Sequence, residues 1–170
     1  MKVSTLILCF ASAFLLSCNQ ADSKKVNESS PLTVKNVEEN LSILQLDERL
    51  IEADSLVFVF YKDPQGKDSL RYTRFYKQYA TVDSSLVNFV KSNLKEPTTR
   101  LERIKKCRSE GKIWCFRKGE IFQTVYFSSF SDECSFLYII KNGQFYYAGI
   151  SNEMSKKLKE LQAKALEPLR

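Results

Sequence analysis

The stretch Cys134-Ser135-Phe136-Leu137-Tyr138-Ile139-Ile140-Lys141-Asn142-Gly143-Gln144-Phe145-Tyr146-Tyr147-Ala148-Gly149-Ile150 decides the class of fold. Two runs rich in β-branched and aromatic residues flank Asn142-Gly143. Asn and Gly both tolerate the positive φ that a two-residue hairpin turn demands, and the twist of that turn matches the twist of paired strands. The stretch therefore reads as an antiparallel hairpin of residues 134–140 and 144–150.

Working upstream, residues 111–116 and 121–128 repeat the pattern around Arg117-Lys118-Gly119-Glu120. Residues 55–62 and 69–82 repeat it again around Asp63-Pro64-Gln65-Gly66, where Pro presets φ and Gly supplies the turn. Helical spacing appears between these hairpins. Val37, Leu41, Leu44, Leu50 and Ile51 recur at helix-like intervals, and residues 46–53 read as helix. Asp83 caps a helix over 84–94, with Leu86, Phe89, Val90 and Leu94 on one face. Ser151 caps a last helix over 152–165, with Met154, Leu158 and Leu161 on one face. Residues 95–110 are polar; Leu101 and Ile104 accommodate a short helix there. The expected fold is α+β: a mostly antiparallel sheet of about six strands with helices on one face. Tyr79-Ala80-Thr81-Val82-Asp83-Ser84-Ser85-Leu86 parallels Tyr147-Ala148-Gly149-Ile150-Ser151-Asn152-Glu153-Met154. Either a strand-strand-helix unit is duplicated, or the chemistry of any strand-to-helix junction produced the likeness.

The N-terminus gives an address. Lys2 precedes an apolar run from Leu6 to Leu16, too short to span a bilayer, which takes about 20 apolar residues. A signal peptide of residues 1–17 fits better. Leu15-Leu16-Ser17-Cys18 resembles the lipobox of bacterial lipoproteins cut by signal peptidase II. The resemblance implies that Cys18 receives a diacylglyceryl group and becomes the first residue of the mature chain. Acyl chains contribute about 0.8 kcal/mol per buried methylene, so two hold a protein on a membrane for long periods. Gln20-Ala21-Asp22 is loosely similar to signals that carry some Bacteroidota lipoproteins to the cell surface. The strand and helix order is likewise broadly similar to small Bacteroidota lipoproteins of unknown function. The expected location is the cell envelope at the outer membrane, with periplasmic and surface facing both open. Residues 18–36 are polar and lack a periodic apolar face, so they read as a lipidated tether to a single domain of residues 37–170.

The chain has 170 residues and a formal charge of +6; loss of residues 1–17 removes Lys2 and leaves +5. Arg100, Arg103, Lys105, Lys106 and Arg108, and again Lys156, Lys157 and Lys159, read as solvated faces rather than a polyanion site, and no nucleic-acid partner is expected. Of five cysteines, Cys9 leaves with the signal and Cys18 carries lipid. Export permits a disulfide among Cys107, Cys115 and Cys134, with three pairings open.

Chemistry finds little purchase. The chain contains no histidine, the commonest general base and metal ligand. Ser92-Asn93-Leu94-Lys95 has the spacing of a Ser-Lys pair but falls at a helix end. Asp132 and Glu133 read as a solvated loop rather than a cation site, and the five glycines form no phosphate loop. No catalytic residue, metal or cofactor is expected.

Aromatic density is the unusual feature. With helices on one face, the other would present Tyr and Phe to a partner, and Tyr suits interfaces because it joins apolar area to a polar tip. Tyr72, Tyr138 and Tyr146 are the expected partner-binding residues. The expected function is a non-enzymatic envelope lipoprotein that binds a protein or peptide through this face. The rival readings are an exported inhibitor or immunity-type lipoprotein, and an enzyme whose site has no familiar motif.

Overall fold

The computed structural model describes residues 41–66, 75–101 and 107–168. Seven strands form one sheet: β1 (Ser55–Tyr61), β2 (Tyr76–Thr81), β3 (Thr98–Leu101), β4 (Gly111–Arg117), β5 (Glu120–Ser129), β6 (Ser135–Lys141) and β7 (Gln144–Gly149). Their order is β2-β1-β4-β5-β6-β7-β3, and every pairing is antiparallel. The helices are α1 (Ile43–Leu46), α2 (Ser84–Asn93) and α3 (Asn152–Lys164), with 3₁₀ helices at Glu48–Glu52 and Asp132–Cys134. The fold is α+β with a largely hairpin-built sheet, and the strand count exceeds the expected six by one.

Two tight turns set much of the register. Asn142 and Gly143 have φ of 51° and 75°, as the hairpin signal requires. Lys118 and Gly119 repeat that geometry at 53° and 83°. A lysine is an unusual occupant of the left-handed region; here its amide donates to Asp54 Oδ2 at 2.7 Å.

One sheet face packs on the helices. Phe58, Ile113, Val125, Phe127, Leu137, Ile139 and Ala148 meet Ile43, Leu50, Val90, Met154, Leu158 and Leu161 in one buried cluster. The caps stand where their sequence signals put them: Asp83 accepts from the Ser85 amide at 2.9 Å, and Ser151 from Met154 at 3.0 Å.

Three expectations need correction. The helix expected over 46–53 is broken at Asp47, which is extended with φ −138°. Its carboxylate caps the 3₁₀ helix at Arg49 N (3.3 Å), pairs with the Arg49 guanidinium (2.8 and 2.7 Å) and accepts from Gln123 Nε2 (2.9 Å). These side-chain bonds offer the backbone an alternative to continued helix. The polar segment after Pro97 supplies strand β3, not the beginning of a helix; residues 102–106 lie outside the described residues, as do 67–74 of the expected second strand. The parallel between residues 79–86 and 147–154 fails at its first position. Tyr79 pairs with core-facing Phe58 and packs on the main cluster, whereas Tyr147 belongs to the opposite face. The shared features are the cap and buried positions such as Val90 and Leu158, which junction chemistry alone explains.

Both sheet edges have a backbone partner at one point. Gln78 exchanges two backbone hydrogen bonds with Leu166 (2.7 and 3.0 Å), and Thr98 N–H donates to the Leu41 carbonyl at 3.0 Å. Such contacts blunt an edge that would otherwise template strand pairing.

Asp47 makes the fold acid-sensitive in a defined way. The hydrogen-bonded Arg49 guanidinium, followed by its charge, holds the carboxyl below the usual carboxylate range. A depressed folded-state pKa adds stability that is complete above the unfolded value, about 3.9, and fades as pH falls through the folded value. Arg49 is largely exposed, which limits the pair to about 1 kcal/mol. Asp47→Asn is expected to lower urea stability by about that amount at pH 7. The gap from the native chain should close below about pH 4. A gap independent of pH would show that the carboxylate charge is not what matters.

Candidate functional site: the aromatic face of the sheet

The face turned away from the helices carries the aromatic residues. Side chains alternate along a strand, so the register fixes which residues share it. Lys112, Trp114 and Phe116 come from β4, Thr124, Tyr126 and Ser128 from β5, and Phe136, Tyr138 and Ile140 from β6; β7 adds Phe145 and Tyr147 and β3 adds Leu101.

Tyr138 stands at the centre. Its ring stacks on Tyr126 (4.9 Å between centroids, 14° between planes) and contacts Tyr147 at 5.1 Å, Phe145 at 5.9 Å and Phe136 at 6.0 Å. Aromatic contacts of this kind contribute about 0.5–1.5 kcal/mol each beyond area burial. The Tyr138 hydroxyl lies 2.7 Å from Ser109 Oγ. Cys107 is disulfide-bonded to Cys134, with 5.6 Å between their Cα atoms, and with Phe136 and Tyr147 it forms a small second core. The pairing that sequence left open is thereby chosen. Cys115 sits on the helix-side face.

The face is partly open on both sides of Tyr138, and it closes again at β1, where Val59 and Tyr61 are buried. Trp114, Phe116, Tyr126 and Phe145 are half-buried, while Ile140 and Leu101 are 44% and 45% exposed. Lys112 lies over the Trp114 ring, 4.6 Å from its centroid, and partial burial pushes its ammonium pKa down. A cation over an indole is attracted by the ring quadrupole. The Ser128 hydroxyl is fully buried and has no hydrogen-bond partner among the described residues. The surface thus combines apolar area, polar tips and one cation.

The expected partner-binding residues fare differently. Tyr138 lies on this face, half-buried and central. Tyr146 does not; it is 3% exposed, pairs with Ile139 and belongs to the helix-side core. The reason is arithmetic. A two-residue turn at 142–143 pairs Lys141 with Gln144, hence Tyr138 with Tyr147, and Tyr146 must face the other way. Tyr72 and Cys18 lie outside the described residues. Sequence reasoning did not assign Trp114, Tyr126, Phe145 and Lys112 to the face; turn arithmetic from Lys118-Gly119 alone would put Trp114 and Tyr126 on opposite faces, and the register shift at Cys115/Phe116 is what brings them to the same one.

Among the described residues, the candidate nucleophiles Cys115 and Ser92 are otherwise engaged. The Cys115 thiol is 1% exposed, and burial pushes its pKa up to about 12, so it is a protonated core group at neutral pH. The Ser92 hydroxyl donates to the Phe89 carbonyl at 2.7 Å, a bond back into its own helix. Among the described residues no group of three or more Cys, Asp or Glu side chains converges to hold a metal ion. Comparison with protein-family models, with curated proteins and with solved structures returns no match.

Proposed function

We propose that this chain is a lipid-anchored envelope protein, held at the outer membrane through Cys18, that binds a protein or peptide partner on the aromatic face of its sheet. The observation that carries the reading is that face's composition. Trp114, Phe116, Tyr126, Phe145, Ile140 and Leu101 remain partly or largely accessible on the side that none of the described helices covers. Contiguous apolar surface of this kind usually marks a contact site, and binding energy concentrates in a few aromatic residues with polar tips. The Cys107–Cys134 disulfide supports export, because cytosolic thiols are kept reduced.

A photo-crosslinking residue placed at Tyr126 tests the face in living cells, with the same probe at Lys156, on the exposed side of α3, as control. Position 126 is expected to yield a discrete adduct that position 156 does not. Equal adducts, or none from position 126, would remove the sheet face as the working surface. In the same cells Cys18→Ala should abolish palmitate labelling and release the chain from membranes; unchanged labelling would remove the anchor.

A further inference from the structure

We infer that a lysine-lined cleft at the β2 edge holds the phosphate of an anionic phospholipid headgroup and seats the domain on its own membrane. This rests on the Cys18 anchor proposed above. The cleft encloses about 370 Å³. Lys62 enters it from the end of β1, Lys77 from β2 and Lys159 from α3; Phe60, Tyr61 and Gln162 complete its wall. The register explains the convergence. Lys77 pairs with Phe60 and so shares the helix-side face, where α3 lies against β2.

Charge and greasiness combine here. Lys62 is ion-paired with Glu167 of the C-terminal tail, so a carboxylate already rests on this rim. Neither Lys77 nor Lys159 has a carboxylate partner among the described residues. Two exposed apolar side chains flank the lysines. Phe75, 58% exposed, accepts the Lys62 backbone N–H at 2.8 Å, and Leu166, 75% exposed, pairs with Gln78 beside Lys77. A free phosphate has no use for Phe75 and Leu166. A bilayer interface uses both, because basic groups meet headgroups while neighbouring apolar side chains enter the acyl boundary.

Reach allows it. Twenty-three peptide units separate Cys18 from Leu41, a contour of up to about 80 Å. Leu41, the first described residue, lies beside β3, at the far edge of the sheet from the cleft. Seven strands spaced about 4.8 Å span only about 30 Å, so the β2 edge can face the bilayer.

The test uses the full acylated chain on phosphatidylcholine vesicles with and without phosphatidylglycerol, read by amide hydrogen exchange. Retention on both vesicles, with exchange in β2 and the C-terminal half of α3 about tenfold slower on the anionic ones, is the expected result. Lys77→Gln/Lys159→Gln should abolish the difference, and Lys77→Arg/Lys159→Arg should keep it. Retention on both vesicles with equal exchange overturns the headgroup inference and leaves the anchor standing. Failure to stay on phosphatidylcholine overturns the anchor and the inference together. Equal slowing by inorganic phosphate on phosphatidylcholine vesicles overturns the lipid as the source of the anion.

Discussion

Phe127→Ala is expected to lower the free energy of unfolding by about 3–5 kcal/mol, a large share of the 5–15 kcal/mol that holds an ordinary domain together. Phe127 is 1% exposed on β5, inside the sheet, and its ring meets Phe60 edge-on at 5.6 Å. The ring also occupies the space that a glycine leaves. A Cβ at Gly111 would stand 2.4 Å from the Phe127 ring and 2.1 Å from the Val59 carbonyl oxygen. Gly111 pairs directly with both Phe60 and Phe127. Deleting the ring therefore opens a cavity bounded by the Phe60 ring and, at Gly111, by sheet backbone, which cannot collapse as a loop could. In urea the midpoint should fall while the slope with denaturant stays close to that of the native chain. Tyr126→Ala, on the opposite face of the same strand, should cost less than half as much. Near-equal costs would mean that the aromatic face is as much a core as the helix side, and would weaken the functional reading.

Much of the architecture is legible in the sequence because its signals are local. The Asn142-Gly143 turn, the Asp83 and Ser151 caps and the alternation in residues 111–128 each depend on neighbours a few positions away. What escaped depends on partners far along the chain. Thr98-Thr99-Arg100-Leu101 has no apolar face to announce a strand; it is one because β7 offers its backbone edge. The break at Asp47 needs Gln123, 76 residues away, as a third partner for the carboxylate. The disulfide could not be chosen from three cysteines, because only the fold reveals that Cys115 faces the helices while Cys107 and Cys134 meet on the other side. The candidate site was half legible. Aromatic density is a property of composition, but its division between two faces is a property of register. Tyr138 and Tyr146 were expected to share a face and lie on opposite ones.

Removing the disulfide is the second large effect. Cys107 and Cys134 are 27 positions apart, and closing a loop of that size restricts the unfolded chain by about 3.5 kcal/mol at 25 °C. Cys107→Ser/Cys134→Ser is expected to lose about that much in urea and roughly 10 °C in Tm. The double variant is a cleaner measure than added reductant, because reduction during unfolding breaks two-state behaviour. The loss should also be uneven in space. Cys107, Phe136 and Tyr147 form the small core under the aromatic face, and Ser109, two residues on, meets the Tyr138 hydroxyl. Without the covalent tie, the segment from Cys107 to Ser109 should open at lower cost than the rest of the fold, because a small satellite core has few other contacts to hold it. Hydrogen exchange should therefore quicken first in β6 and β7, while α3 and β4 stay protected up to global unfolding. Uniform quickening across the sheet would show that the bond acts on the unfolded chain alone. Selective opening would tie the proposed partner-binding face to the oxidised state, so that a chain retained in a reducing compartment would lose the shape of its aromatic face before it lost its fold.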